Sequence, residues 1–216
     1  MPSVIQSLIG LFAILSLIVP FSQPSSAADP IRIVAFGDSL TAGPGLEAEQ
    51  TFPTRLEAAL RTRGHNVSIL NAGVSGDTTR DGLARLDWSI GEDADAVIVE
   101  LGANDALRGT DPAIAHDALD AILTRLVQRG LPILLAGMVA PPNLGEDYAT
   151  AFNSIFGDLA TRHEVILYPF FLDGVAGDSR LNLKDGIHPN AAGVDIIVER
   201  ITPKVESLIA RIDETR

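Results

Sequence analysis

The chain contains no cysteine. That excludes a disulfide framework, a thiolate nucleophile and a cysteine-built zinc site, and it leaves the cellular compartment open. Basic residues are scarce: 16 Lys and Arg stand against 28 Asp and Glu in 216 residues, for a net charge of −12. Such a surface repels phosphate backbones, so nucleic acid is not an expected partner. Neither an internal repeat nor a linker is visible, and no low-complexity segment follows residue 28. Walker lysine and G-x-S-x-G motifs are both missing. Gly43-Pro44-Gly45-Leu46-Glu47-Ala48 fits G-x-G-x-x-A. It begins several residues beyond a strand and puts Glu47 where a pyrophosphate would approach, so it reads as the rim of a cleft beside Ser39.

Charge is absent altogether from residues 1–28. An apolar run over 8–20, interrupted by Gly10 and Ser16, falls short of the roughly 20 residues that span a bilayer. Small residues follow and supply an A-x-A-like cleavage site, with the cut expected after Ala28. The lack of Lys or Arg ahead of the apolar run leaves a membrane-anchoring or buried helix as the alternative. The expected division is a signal peptide over 1–28 and a single domain over 29–216. The mature chain is then periplasmic or secreted, with no stable membrane insertion.

What remains alternates between strands and helices. Apolar runs at 31–36, 67–70, 96–101, 132–138 and 164–168 read as strands buried in a parallel sheet. Between them, Phe52, Leu56, Ala59 and Leu60 share a helical face, and Thr78 with Asp81 resembles a capping pair. Asp111-Pro112 opens a helix with Ile114, Ala118, Ile122 and Leu126 in one stripe. Tyr148, Phe152, Ile155, Phe156 and Leu159 mark another. The last helix carries Val194, Ile197, Val198 and Ile201, and Pro203 is expected to kink or break it. This pattern predicts a three-layer α/β/α sandwich on a five-stranded parallel sheet in the flavodoxin-like order 2-1-3-4-5.

In such a sheet the loops after the strands share one edge, where ligands bind. Ser39 leaves the first strand, Gly76 follows the second, Asn104 the third, and Asp185-Gly186-Ile187-His188 precedes the last helix. A serine hydroxyl needs a base, and His188 can supply it while Asp185 fixes the imidazole tautomer. The backbone N–H groups of Ser39 and Gly76 and the Asn104 amide can serve as an oxyanion hole. Each residue alone has a plainer reading: a helix cap for Ser39, an Asx turn for Asn104, a helix start at Gly76, a loop residue for His188. Their convergence at one edge favours the chemical reading. A metal site from Asp38, Asn104, Asp105, Asp185 and His188 lacks a second histidine, and no metal is expected. His65, His116 and His163 read as surface residues. Trp88 and Met138 read as packing residues, with Met138 near enough to the pocket edge to touch a substrate.

The same blocks resemble the SGNH, or GDSL, hydrolase family. Gly37-Asp38-Ser39-Leu40, Ser75-Gly76-Asp77, Gly102-Ala103-Asn104-Asp105 and Asp185-Gly186-Ile187-His188-Pro189-Asn190 occur in its order. Gly76-Asp77-Thr78, Glu100-Leu101-Gly102, Leu107-Arg108-Gly109 and Pro169-Phe170-Phe171 extend the likeness to its periplasmic arylesterase and thioesterase I/lysophospholipase L1 group. Ala103 stands where that group often has a second glycine. The resemblance implies the SGNH hydrolase fold and Ser39 as nucleophile, with Asp185 and His188 completing a triad. Gly76 and Asn104 would join Ser39 in the oxyanion hole. It also implies no cofactor and an open acyl crevice lined by 106–111 and 139–144, with Leu107, Met138, Pro141 and Ile187 as substrate-binding residues. The expected function is a serine esterase acting through an acyl-enzyme on aryl and short to medium acyl esters, extending to thioesters and lysophospholipids. The alternatives are a sugar or peptidoglycan O-deacetylase on the same triad, and a non-catalytic periplasmic binding module. The expected partner is a small-molecule ester or thioester, and the expected state a monomer or small homo-oligomer.

Overall fold

Residues 29–213 are described by the computed structural model; the expected signal peptide over 1–28 lies outside them. Five parallel strands form the sheet: β1 (Ile31–Gly37), β2 (Val67–Gly73), β3 (Ala96–Glu100), β4 (Ile133–Ala136) and β5 (Ile166–Tyr168). Their order is β2-β1-β3-β4-β5, as the alternating pattern predicts. β1 is the strand at which the order reverses. Ile33 pairs with Ile69 on one side and Ala96 on the other, and Ile33, Val34, Ala35 and Phe36 are all buried.

The helices are α1 (Ser39–Ala42), α2 (Phe52–Thr62), α3 (Thr79–Ser89), α4 (Ala103–Leu107), α5 (Pro112–Gln128), α6 (Glu146–Arg162) and α7 (Ala191–Asp213). α2 packs on α7, while α5 lies beside both α3 and α6, so helices form a layer on each side of the sheet. Local chemistry sets their starts. Asp111 caps α5 by accepting from Ala113 N with Pro112 in the first turn, and Thr78 and Asp81 form a capping box on α3. The outer strand β2 is guarded by side chains. Arg61 Nε donates to Val67 O, and Ile69 N donates to the Glu57 carboxylate, which blunts an edge that could pair with another chain. Among the described residues no helix is long and apolar enough to cross a membrane.

Several expectations need correction. β2 continues through Asn71 and Ala72 to Gly73, and the polar turn after β3 runs directly into α4. Pro203 does not break α7, which is continuous from Ala191–Asp213. Val198, Ile201, Val205, Leu208, Ile209 and Ile212 are buried on both sides of the proline. Each is worth about 1.5–3 kcal/mol of burial, against about 3 kcal/mol for an interior proline. Pro203 and Glu199 are both exposed, so water can take the Glu199 carbonyl that lacks its N–H partner. Trp88 is not a packing residue: it is 75% exposed, beside the exposed Leu70 and Val74. It falls more than half a helical turn on from Leu86, which faces the core. His163 is not on the surface; its side chain is 11% exposed, with Nε2 at 2.7 Å from the Asp120 carboxylate on α5.

Candidate active site

β1 ends in Gly37, and the next four residues make a sharp change of direction into α1. A Cβ on Gly37 would lie 2.1 Å from Thr41 Oγ1 and 2.6 Å from a Glu100 oxygen, so α1 can close onto the sheet only over a glycine. Asp38 caps α1, its carboxylate accepting from Leu40 N at 2.9 Å. Ser39 is thereby the first helical residue. Its backbone N–H has no intrahelical acceptor, and its hydroxyl faces the loop that precedes α7.

That loop is held by its own hydrogen bonds. Gly186 adopts φ 70°, Leu183 N donates to His188 O at 2.7 Å, and Asn190 accepts from Ala192 N and Gly193 N at the start of α7. Asp185 Oδ1 accepts from the backbone amides of Ile187 and His188 at 2.9 and 3.0 Å. Asp185 Oδ2 lies 2.7 Å from His188 Nδ1, and His188 Nε2 lies 2.9 Å from Ser39 Oγ. An ionised carboxylate only accepts, so Nδ1 carries the proton and Nε2 is left to accept from the serine hydroxyl. The hydrogen bond from His188, joined by those two backbone amides, holds the Asp185 carboxyl down to about 2.

Asn104, on α4, donates from Nδ2 to Asp77 O at 3.0 Å and to Asp38 Oδ2 at 3.2 Å. Both partners are acceptors, which fixes which end of the amide is nitrogen. Ser39, Asn104 and His188 line one cavity of about 700 Å³. Leu107, Met138, Pro141 and Ile187 line it as well, and no Asp, Glu, Lys or Arg does. Gly76 stands outside this lining. Its φ is 88° and its carbonyl accepts from Arg108 Nη2 at 2.8 Å. Gly43-Pro44-Gly45 is not the rim of the cleft. Gly43 N donates to Ser39 O and ends α1, and Gly45 lies against Leu183, so the stretch backs the loop that carries Asp185.

Sequence reasoning missed a layer of polar residues under the site. Glu100, at the end of β3, is fully buried; one oxygen accepts from Thr41 Oγ1 at 2.7 Å and the other has no partner. Burial and the neighbouring Asp38 push its carboxyl well above the usual range. Burial pushes Asp38 up to about 7, against the hydrogen bonds from Leu40 N and Asn104. Asp105 accepts from Thr79 N and Oγ1 at 2.8 and 2.9 Å, tying α4 to α3. Arg85, also buried, donates to the Asp77 carboxylate at 2.5 Å, to Gly37 O at 2.7 Å and to Ala72 O at 3.0 Å. Its guanidinium carbon sits 4.3 Å from the Phe36 ring centroid. The only signal for these was charge inside otherwise apolar stripes, at Glu100 in β3 and Arg85 in α3. The cavity residues Phe170, Leu172, Ala176 and Asn182 come from the aperiodic 169–189 loop, where pattern gives no guidance.

Residues 35–196 match the model of the GDSL-like Lipase/Acylhydrolase family. The chain is similar to the esterase TesA of Pseudomonas aeruginosa, 37% identical over 85% of this chain and 91% of that one. It is also similar to an arylesterase of Vibrio mimicus, 33% identical over 89% and 96% of the two chains. The crystal structure of AlinE4, an SGNH-hydrolase family esterase, superposes with a TM-score of 0.72 and 46% identity, covering 84% of this chain and 98% of that one.

Proposed function

This chain belongs to the GDSL-like lipase/acylhydrolase family and is a carboxylic ester hydrolase, and on that premise we propose that it hydrolyses aryl and short to medium acyl esters through an acyl-enzyme on Ser39. The observation that carries this reading is the continuous relay from Ser39 Oγ to His188 Nε2 at 2.9 Å and from Nδ1 to Asp185 at 2.7 Å. In the acylation step Ser39 Oγ attacks the ester carbonyl and His188 Nε2 takes its proton. Asp185 stabilises the imidazolium that forms. The Ser39 N–H donates to the oxyanion, and the Asn104 amide joins it by exchanging its longer, 3.2 Å bond to Asp38 for one to the oxyanion. His188 then protonates the leaving alcohol, and water, activated by the same imidazole, releases the acid from Ser39.

The apolar cavity lining supports an acyl or aryl group over a sugar ring, whose hydroxyls would need polar partners that the lining offers only at Ser39, Asn104, Asn182 and His188. Family membership sets aside the non-catalytic binding module. The uncharged, apolar residues 1–28 support export and a mature chain beginning near Asp29; mass spectrometry of the exported protein checks the cut.

A fluorophosphonate probe tests the nucleophile, because it labels only an activated one. Labelling is expected on Ser39 and absent in Ser39→Ala, whose kcat on p-nitrophenyl acetate should fall roughly 10⁴- to 10⁶-fold. Turnover at the native rate by Ser39→Ala would end the proposal.

A further inference from the structure

Ser39 sits on a four-residue helix, and the relay does not explain what fixes that helix in place. The bonds inside α1 set its shape: Leu40 N donates to Asp38 Oδ1, and Gly43 N donates to Ser39 O. A shift of α1 as a body would leave both intact. Its place is set from outside, and Glu100 reaches it from the end of β3, the middle strand of the sheet. One Glu100 oxygen accepts from Thr41 Oγ1 at 2.7 Å. The backbone amides of Asp38 and Thr41 face the same carboxyl, so it meets the turn on both sides of Ser39. We propose that Glu100 is a positioning residue whose grip on Thr41 sets where Ser39 Oγ stands relative to His188. The inference rests on the reading of Ser39 as the nucleophile.

Packing alone does not account for a carboxyl at this place. Glu100 is fully buried, yet its second oxygen has no partner, and a buried acceptor left alone costs stability. The backbone also makes room for the bond. A Cβ on Gly37 would lie 2.6 Å from a Glu100 oxygen and 2.1 Å from Thr41 Oγ1, so the contact between the two side chains needs glycine there. Asn104 touches α1 as well, through Asp38 at 3.2 Å, but that bond is given up to the oxyanion during the reaction. The bond from Thr41 to Glu100 persists throughout and ties α1 to the sheet.

Small displacements matter at this point of the chain. Ser39 Oγ stands 2.9 Å from His188 Nε2, and proton transfer needs that hydrogen-bond reach. A misplacement of about 1 Å costs roughly 10²-fold in rate. Neither Glu100 nor Thr41 lines the cavity, so a loosened grip acts on the reaction and not on substrate binding. Burial and the neighbouring Asp38 hold the Glu100 carboxyl well above the usual range, so it keeps its proton near neutrality. Thr41 then donates to a carbonyl oxygen, which the amide of glutamine reproduces.

Glu100→Leu keeps most of the volume and removes the grip. With p-nitrophenyl acetate its kcat should fall about 10- to 100-fold with KM little changed, and labelling of Ser39 by the fluorophosphonate probe should slow by a similar factor. Thr41→Val removes the same bond from its other end with a smaller change to the core, and should lose kcat to a comparable extent. The Thr41→Val/Glu100→Leu double variant should be no slower than Glu100→Leu alone, within about twofold, because one bond is lost in each. Glu100→Gln presents the same carbonyl oxygen to Thr41 and should stay within about threefold of the native chain. Losses that multiply in the double variant, a Glu100→Gln as slow as Glu100→Leu, or labelling of Glu100→Leu at the native rate would overturn the inference while leaving Ser39 as nucleophile. A native chain that the probe does not label would overturn the nucleophile reading, and this inference with it.

Discussion

Asp185 and Asp38 carry the same carboxyl group in opposite surroundings. Asp185 is partly exposed and paired with His188, which holds it down to about 2. Its stabilising effect is present above the ordinary carboxylate range and is lost as pH falls toward about 2. Asp38 is buried and pushed up to about 7. Its effect runs the other way: it favours the folded chain fully below the ordinary range and is lost as pH rises through about 7. Asparagine does not titrate, so Asp38→Asn should gain stability relative to the native chain between about pH 4 and about pH 7, then level off. Thermal melts at several pH values check this, and a melting difference that does not vary with pH would count against it. That Ser39, His188 and Asp185 would meet was legible because they are distinctive residue types at the ends of recognisable elements, and the three are linked at 2.9 and 2.7 Å. Asp38 was legible only as a neighbour. Its burial comes from α1 folding back over Gly37, which no local pattern announces.

α3 and α7 show how elements override local preference. Arg85 points from α3 toward the strand ends and satisfies Gly37 O, Ala72 O and the Asp77 carboxylate at once. Since Asp77 O in turn accepts from Asn104, the guanidinium braces three loops of the site together. Arg85→Ala would leave a buried carboxylate without its partner and should cost about 3–5 kcal/mol by chemical denaturation, with the double variant Arg85→Ala/Asp77→Ala costing less than the two single losses combined. A loss under about 1 kcal/mol would remove the brace from consideration. In α7 the proline at 203 is tolerated because the helix is anchored on both sides of it. Pro203→Ala restores an N–H for the Glu199 carbonyl at an exposed position, so it should stabilise the chain by up to about 3 kcal/mol; a melting temperature that fell would show that the proline is needed where it stands. The helix stripes, caps and strand runs were readable from the sequence, and the capping box at Thr78 and Asp81 forms as its spacing suggests. The ends were less readable, as β2 and α4 show. Asn71 and Ala72 look like loop residues, yet β1 pairs with them through Ala35 and Phe36.

At the scale of the whole molecule, the parallel sheet collects loops from distant parts of the chain at one edge. The cavity takes Leu40 from α1, Leu107 from α4, Met138 and Pro141 from the segment after β4, and Phe170 with Ile187 from the long segment after β5. Leu107 and Ile187 are 51% and 44% exposed, so an entering chain finds apolar surface to cover. Each methylene buried there is worth about 0.8 kcal/mol, so kcat/KM for p-nitrophenyl esters should rise about fourfold per added carbon until the cavity is filled. Leu107→Asp should flatten that rise while leaving the acetate ester little affected. A series flat in chain length for the native chain would place the acyl group elsewhere. The linear pattern was enough for the strand order and the helical layers, because buried parallel strands are continuous apolar runs, and for the candidates Ser39, Asp185 and His188, because reactive side chains are few. Which polar residues are buried, how the Asn104 amide is oriented and what lines the cavity emerge only once the chain is folded. Those properties depend on distances between segments far apart in the chain, and a linear pattern carries periodicity but not distance.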